Sequence, residues 1–117
     1  MQNFKEGTLM IEIEKGGKNI LKWTGKSEDR DPASLLNPYF DSLVEELKGK
    51  ELEVQFEELE YMNSSTVTPI IQLIKKLNTS NIKTIFTYNK NSKWQCASFK
   101  ALETIVSNMN NIDVVGK

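Results

Sequence analysis

The sequence contains no histidine and only one cysteine, Cys96, in 117 residues. No internal disulfide can form, and the Cys/His sets that hold zinc or drive nucleophilic catalysis are excluded. No apolar run approaches the roughly eighteen residues of a membrane span, and Met1 leads into polar Gln2-Asn3-Phe4-Lys5-Glu6 in place of a secretory leader. A cytoplasmic protein is the expectation. A glycine-rich phosphate loop is also missing, which counts against a nucleotide-binding module. With a net charge of -1 there is no bulk attraction to nucleic acid or to a membrane surface, so neither is expected as a partner. These gaps together make an enzyme unexpected, and no cofactor or metal is implied.

What is present is the composition of a globular domain, 38% hydrophobic and 26% charged, of a length suited to one core spanning 1-117. Leu9, Ile11 and Ile13 alternate with Met10, Glu12 and Glu14. Gly16-Gly17 and a second apolar run, Ile20 to Trp23, follow, predicting a hairpin. Thr24 to Ser34 is polar and turn-rich. Asn37-Pro38 then reads as the cap and first turn of a helix carrying Tyr39, Phe40, Leu43, Val44 and Leu47, stopped at Gly49. Leu52, Val54 and Phe56 alternate with acids as in a half-buried strand, and Val67, Ile70, Ile71, Ile74 and Leu77 recur at helical spacing. A strand around Ile82 to Tyr88, a helix from Trp94 to Met109 and a last strand, Ile112 to Val115, complete the chain. The predicted order is β-β-α-β-α-β-α-β, an α/β fold on a mixed sheet with right-handed crossovers in its parallel part.

Between the acidic strand and the apolar helix lies Tyr61-Met62-Asn63-Ser64-Ser65-Thr66. Such residues suit any helix start, where the first amides lack partners. The same place also tolerates an added phosphate, because amides and helix dipole face it. Pro69 lacks the amide that would bond to the Ser65 carbonyl, so regular helix is expected to begin near Thr66, with Ser64 and Ser65 in an accessible loop. From Tyr61 to Leu102 there is no acid; the charges are Lys75, Lys76, Lys83, Lys90, Lys93 and Lys100, whereas acids dominate from Asp41 to Glu60. A basic docking surface beside the serines follows, with Asn63, Thr66, Lys90 and Lys93 as its candidate partner-binding residues. In a parallel arrangement the segment from Asn89 to Lys93 should lie near them. Lys75 and Lys76 are the cations a bound anionic ligand would use. Trp23 is a minor candidate for a partner anchor, although a tryptophan ending a strand is more often core. Cys96 reads as a small buried hydrophobe. Asp29 and Asp31, flanking Arg30, suit a solvated turn better than acid-base chemistry.

Glu60-Tyr61-Met62-Asn63-Ser64-Ser65 followed by an apolar helix resembles the phosphorylation loop of STAS domains, the anti-sigma factor antagonist superfamily, whose loop commonly reads Asp-Ser-Ser-Gly. The element order matches too. Trp23-Thr24-Gly25-Lys26-Ser27, with Pro38-Tyr39-Phe40 after it, is similar to the small STAS-like regulatory phosphoproteins of bacterial partner-switching pathways, some of which control biofilm formation. The resemblance implies phosphorylation by a dedicated serine kinase of the anti-sigma type, removal by a metal-dependent phosphatase, and a partner bound in one state only. The resemblance leaves three kinds of partner open: an anti-sigma factor, a kinase that doubles as one, or an output enzyme such as a diguanylate cyclase. Asn63 stands where aspartate is usual and Thr66 where glycine is usual. In the antagonist register the acceptor is Ser65; in the biofilm-type register it is Ser64. A small-molecule or nucleotide-binding STAS-like module is the alternative that the resemblance leaves.

Overall fold

The computed structural model describes residues 2–117; Met1, the first residue of the polar opening segment, lies outside them. Seven strands and three helices are present among the described residues, in the order β1 (Phe4–Glu6), β2 (Leu9–Glu14), β3 (Ile20–Ser27), α1 (Pro32–Leu47), β4 (Glu51–Gln55), β5 (Leu59–Met62), α2 (Ser64–Thr79), β6 (Lys83–Tyr88), α3 (Lys93–Val106) and β7 (Ile112–Gly116). The sheet runs β1-β2-β3-β4-β6-β7. Its first three strands are antiparallel, and from β3 to β7 the pairing is parallel. This is the expected mixed sheet with helical crossovers.

One face of the sheet is covered and the other open, which explains why parallel strands here alternate instead of being apolar throughout. In register, Leu21 lies beside Val54, Val54 beside Phe86 and Phe86 beside Val114. All four are buried, and Leu36, Phe40, Leu43, Ile70, Ile74, Phe99 and Leu102 from the helices join them in one core. Ile85 and Val115, on the opposite face, remain 43% exposed. Phe56 sits at the centre of an aromatic cluster, with ring centroids 4.9 Å from Trp23 and 4.7 Å from Phe99.

Besides the start of α2, described below, three elements differ from the sequence expectation. Helix α1 begins at Pro32, not Pro38, because Asp31-Pro32 supplies an earlier cap and first-turn proline: the Asp31 carboxylate accepts from the Ser34 amide and hydroxyl. The added turn and a half buries Pro32 and Leu36, while Pro38 stays exposed inside the helix. Strand β1 was not anticipated; it pairs Phe4 with Ile11 across a turn at Gly7. The acidic strand is also two strands. Its second part, β5, leaves β4 and pairs with the far end of β3, where the register shifts between Gly25 and Lys26. Gly25 has φ +80°, and a Cβ there would lie 1.8 Å from the Thr8 carbonyl oxygen, so only glycine permits this crossing.

Candidate functional site

Strand β5 delivers the chain to Asn63, and Asn63 starts α2. Its side-chain oxygen accepts from the Thr66 amide at 3.1 Å and from the Thr66 hydroxyl at 2.7 Å, while its amide nitrogen donates to the Asp29 carbonyl at 2.7 Å. The Asn63 main-chain amide donates to the Ser27 carbonyl at 3.0 Å, and the Ser27 and Thr66 hydroxyls lie 2.7 Å apart in the interior. Helix therefore begins at Ser64, two residues earlier than Pro69 led one to expect. The bond missing at Pro69 is outweighed by a cap that fixes three donors at once.

The three consecutive hydroxyls consequently differ in kind. Ser64 and Ser65 occupy the first two helical positions and are exposed. Thr66 is fully buried with its hydroxyl engaged on both sides, so it is a structural bolt and not the partner-facing residue suggested by the sequence. Asn63 is half-buried and belongs to the same bolt.

The segment after β6 lies at the same edge of the sheet, joined to β5 by Gln95, a residue not among the candidates read from the sequence. Gln95 is 1% exposed. Its amide nitrogen donates to the carbonyls of Phe56 (2.8 Å) and Leu59 (3.0 Å), and its oxygen accepts from the Asn89 amide at 2.7 Å. Lys90 and Lys93 are exposed on this segment, and Lys117 joins them because its carbonyl accepts from the Lys90 amide. Neither lysine bonds to Ser64 or Ser65; the connection runs through Gln95 and β5. The one local hint of such a strut is a glutamine at helical spacing from Phe99 and Leu102.

The remaining candidates resolve simply. Trp23 is fully buried beside Phe40 and Phe56, which removes it as a partner anchor. Cys96 is only half-buried, its thiol donating to the Lys90 carbonyl. Asp29 accepts from the Asp31 amide at 2.8 Å and Asp31 caps α1, so both carboxylates do turn and capping work. Lys76 forms an ion pair with Asp41 that links α2 to α1, whereas Lys75 is exposed. A cavity of about 310 Å³ opens at the other end of the strands, where Lys18 and Lys83 meet Glu51, Glu53 and Asp113. Glu53 is 7% exposed, and hydrogen bonds from Lys18 and then Gln55 hold its carboxyl below the usual carboxylate range. Among the described residues, no group of three or more His, Cys, Asp or Glu is placed to hold a metal, and no helix is long and apolar enough to cross a membrane.

No protein-family model matches the sequence, and no curated protein matches it. Among solved structures it is similar to an uncharacterized protein from the DUF3478 family, with a SpoIIAA-like fold, from Shewanella loihica PV-4. The superposition has a TM-score of 0.55 at 13% identity and covers 96% of this chain and 88% of that one. The fold is thus SpoIIAA-like.

Proposed function

We propose that this protein is a non-enzymatic cytoplasmic switch of the STAS type, set by phosphorylation of Ser64 or Ser65 and read by a partner protein. The observation that carries this reading is the pair of exposed serines on the first turn of α2, held by a cap that needs neither hydroxyl. A serine kinase transfers a phosphoryl group from ATP to one serine oxygen, and a metal-dependent phosphatase removes it. The added charge of about -1.5 to -2 faces free amides and the positive end of the helix dipole, so the fold tolerates it. A partner packing on the same turn has to desolvate that charge. Switching then follows from local electrostatics without refolding. Candidate readers are an anti-sigma-type kinase and an output enzyme such as a diguanylate cyclase.

Intact mass and peptide mapping of protein from its native cell, with and without phosphatase, test the reading. One phosphate on the peptide containing Ser64 and Ser65 is expected; none under any growth condition sinks it. The rival, a nucleotide-binding module, gains a cavity but an unsuitable one, since its three carboxylates outnumber its two lysines. Millimolar ATP should leave the thermal midpoint unchanged.

A further inference from the structure

Arg30 is the only arginine in the sequence, and every other cationic side chain is a lysine. It lies in the β3–α1 loop, which is fastened to the start of α2 at three points: Ser27 to Thr66, the Ser27 carbonyl to the Asn63 amide, and the Asp29 carbonyl to the Asn63 side chain. Because Arg30 follows the Asp29 carbonyl directly, covalent geometry puts its Cα within about 6 Å of the Asn63 side-chain nitrogen. Ser64 and Ser65 are the next two residues along the chain from that nitrogen's own backbone. Acids flank Arg30, yet they do not hold it. The Asp29 carboxylate accepts from the Asp31 amide, the Asp31 carboxylate accepts from Ser34, and among the described residues Arg30 is exposed and forms no ion pair or hydrogen bond. A guanidinium grips a phosphoryl group through two parallel hydrogen bonds, a geometry that the compact ammonium of lysine does not offer.

We propose that Arg30 is the phosphate-reading residue of the switch. Once Ser64 or Ser65 carries phosphate, the guanidinium closes over it from the β3–α1 loop, and a cation available to a partner in the unmodified protein is withdrawn into an internal pair. The proposal rests on the phosphorylation reading above and adds the residue that converts the modification into a changed surface. Lys26, exposed on β3 and in register with Tyr61, is the other nearby cation and supplies the control.

The test uses the full chain with phosphoserine genetically encoded at 64, and separately at 65, so that no kinase is needed. Phosphorus NMR then follows the phosphoserine titration in the otherwise native chain and in Arg30→Ala, Arg30→Lys and Lys26→Ala variants. A guanidinium beside the phosphate favours its dianion. At one of the two positions the titration midpoint should therefore lie about half a unit or more lower with Arg30 than with alanine, and lysine should restore only part of that shift. Helix amides act equally in all four chains and cancel. If native and Arg30→Ala proteins titrate together at both positions, or if Lys26→Ala shifts the midpoint more than Arg30→Ala, the proposal is overturned. That result leaves phosphorylation itself standing, whereas an absence of phosphate in cells overturns the switch without touching the titration.

Discussion

Ser64, Ser65 and Thr66 are neighbours of similar chemistry with opposite duties, and the difference lies in what each hydroxyl touches. Thr66 joins Ser27 to Asn63 in the interior, so replacing it with valine, of nearly the same size and shape, strands the buried Ser27 hydroxyl and removes one of the two donors to the Asn63 oxygen. A loss of about 1–3 kcal/mol in urea unfolding is expected for Thr66→Val. Ser64→Ala and Ser65→Ala should each stay within about 0.5 kcal/mol of the parent protein. Equal losses at all three positions would mean that the cap is not the bolt inferred from its bonds. Asn63 is explained by the same geometry. Its oxygen faces α2 and its nitrogen faces the Asp29 carbonyl, and an aspartate, having no donor, would meet that carbonyl with a second oxygen. An asparagine at this position thus suits the β3–α1 loop that packs against it.

At the scale of elements, strong periodicity was readable and competing punctuation was not. The β2–β3 hairpin, α2, β6, α3 and β7 all appear close to where alternation or helical spacing puts them. The start of α1 was placed too late, at Asn37-Pro38, although Asp31-Pro32 carries the same signal, and burial of Pro32 and Leu36 selects the earlier one. Strand β1 has three residues and too short a pattern to register, and β5 became visible only through its pairing with β3. The serines of the site were legible because capping chemistry is local. Gln95 and the Ser27–Thr66 bond were not, since they join residues 39 positions apart. A second non-local tie makes a pH prediction. The hairpin tip reaches β4 through Lys18 and Glu53, 2.8 Å apart, and the Glu53 carboxyl titrates below its ordinary value of 4.5. A carboxyl whose folded pKa is depressed contributes stability that is complete above the unfolded value and is lost as pH falls through the folded one. Urea midpoints measured at pH 7 and near pH 3.5 should therefore fall more steeply in the parent protein than in Glu53→Gln. Parallel declines would assign the acid sensitivity to other carboxylates.

Over the whole molecule, the exposed charges at the edge that holds the site are unevenly spread. Glu28, Asp29, Asp31, Glu58 and Glu60 mix with Lys26 and Arg30 along β5 and the segments before it and before α1, while Lys90 and Lys93 form a basic pair between β6 and the start of α3. Such a field orients an approaching partner before contact and acts on the association rate more than on the lifetime of the complex. Under the proposed phosphorylation, a kinase fraction enriched from native cells by following phosphoryl transfer to the protein serves as the partner for the assay. Reversing Lys90 and Lys93 together to glutamate should slow labelling about tenfold at low salt. The deficit should shrink as ionic strength passes about 0.15 M, where the Debye length is about 8 Å. Unfolding midpoints should hold, because both lysines are exposed and neither forms an ion pair among the described residues. The control needs acids remote from the site and free of structural ties. Glu45 and Glu46 fail that requirement, being paired with Lys48 at 3.0 Å and with Lys15 at 2.7 Å, so the exposed Glu14 and Glu51, at the opposite end of the strands, are reversed instead. If that control slows labelling while the Lys90 and Lys93 reversal does not, the partner approaches from the opposite end of the strands, and the lysines after β6 are an ordinary solvated surface.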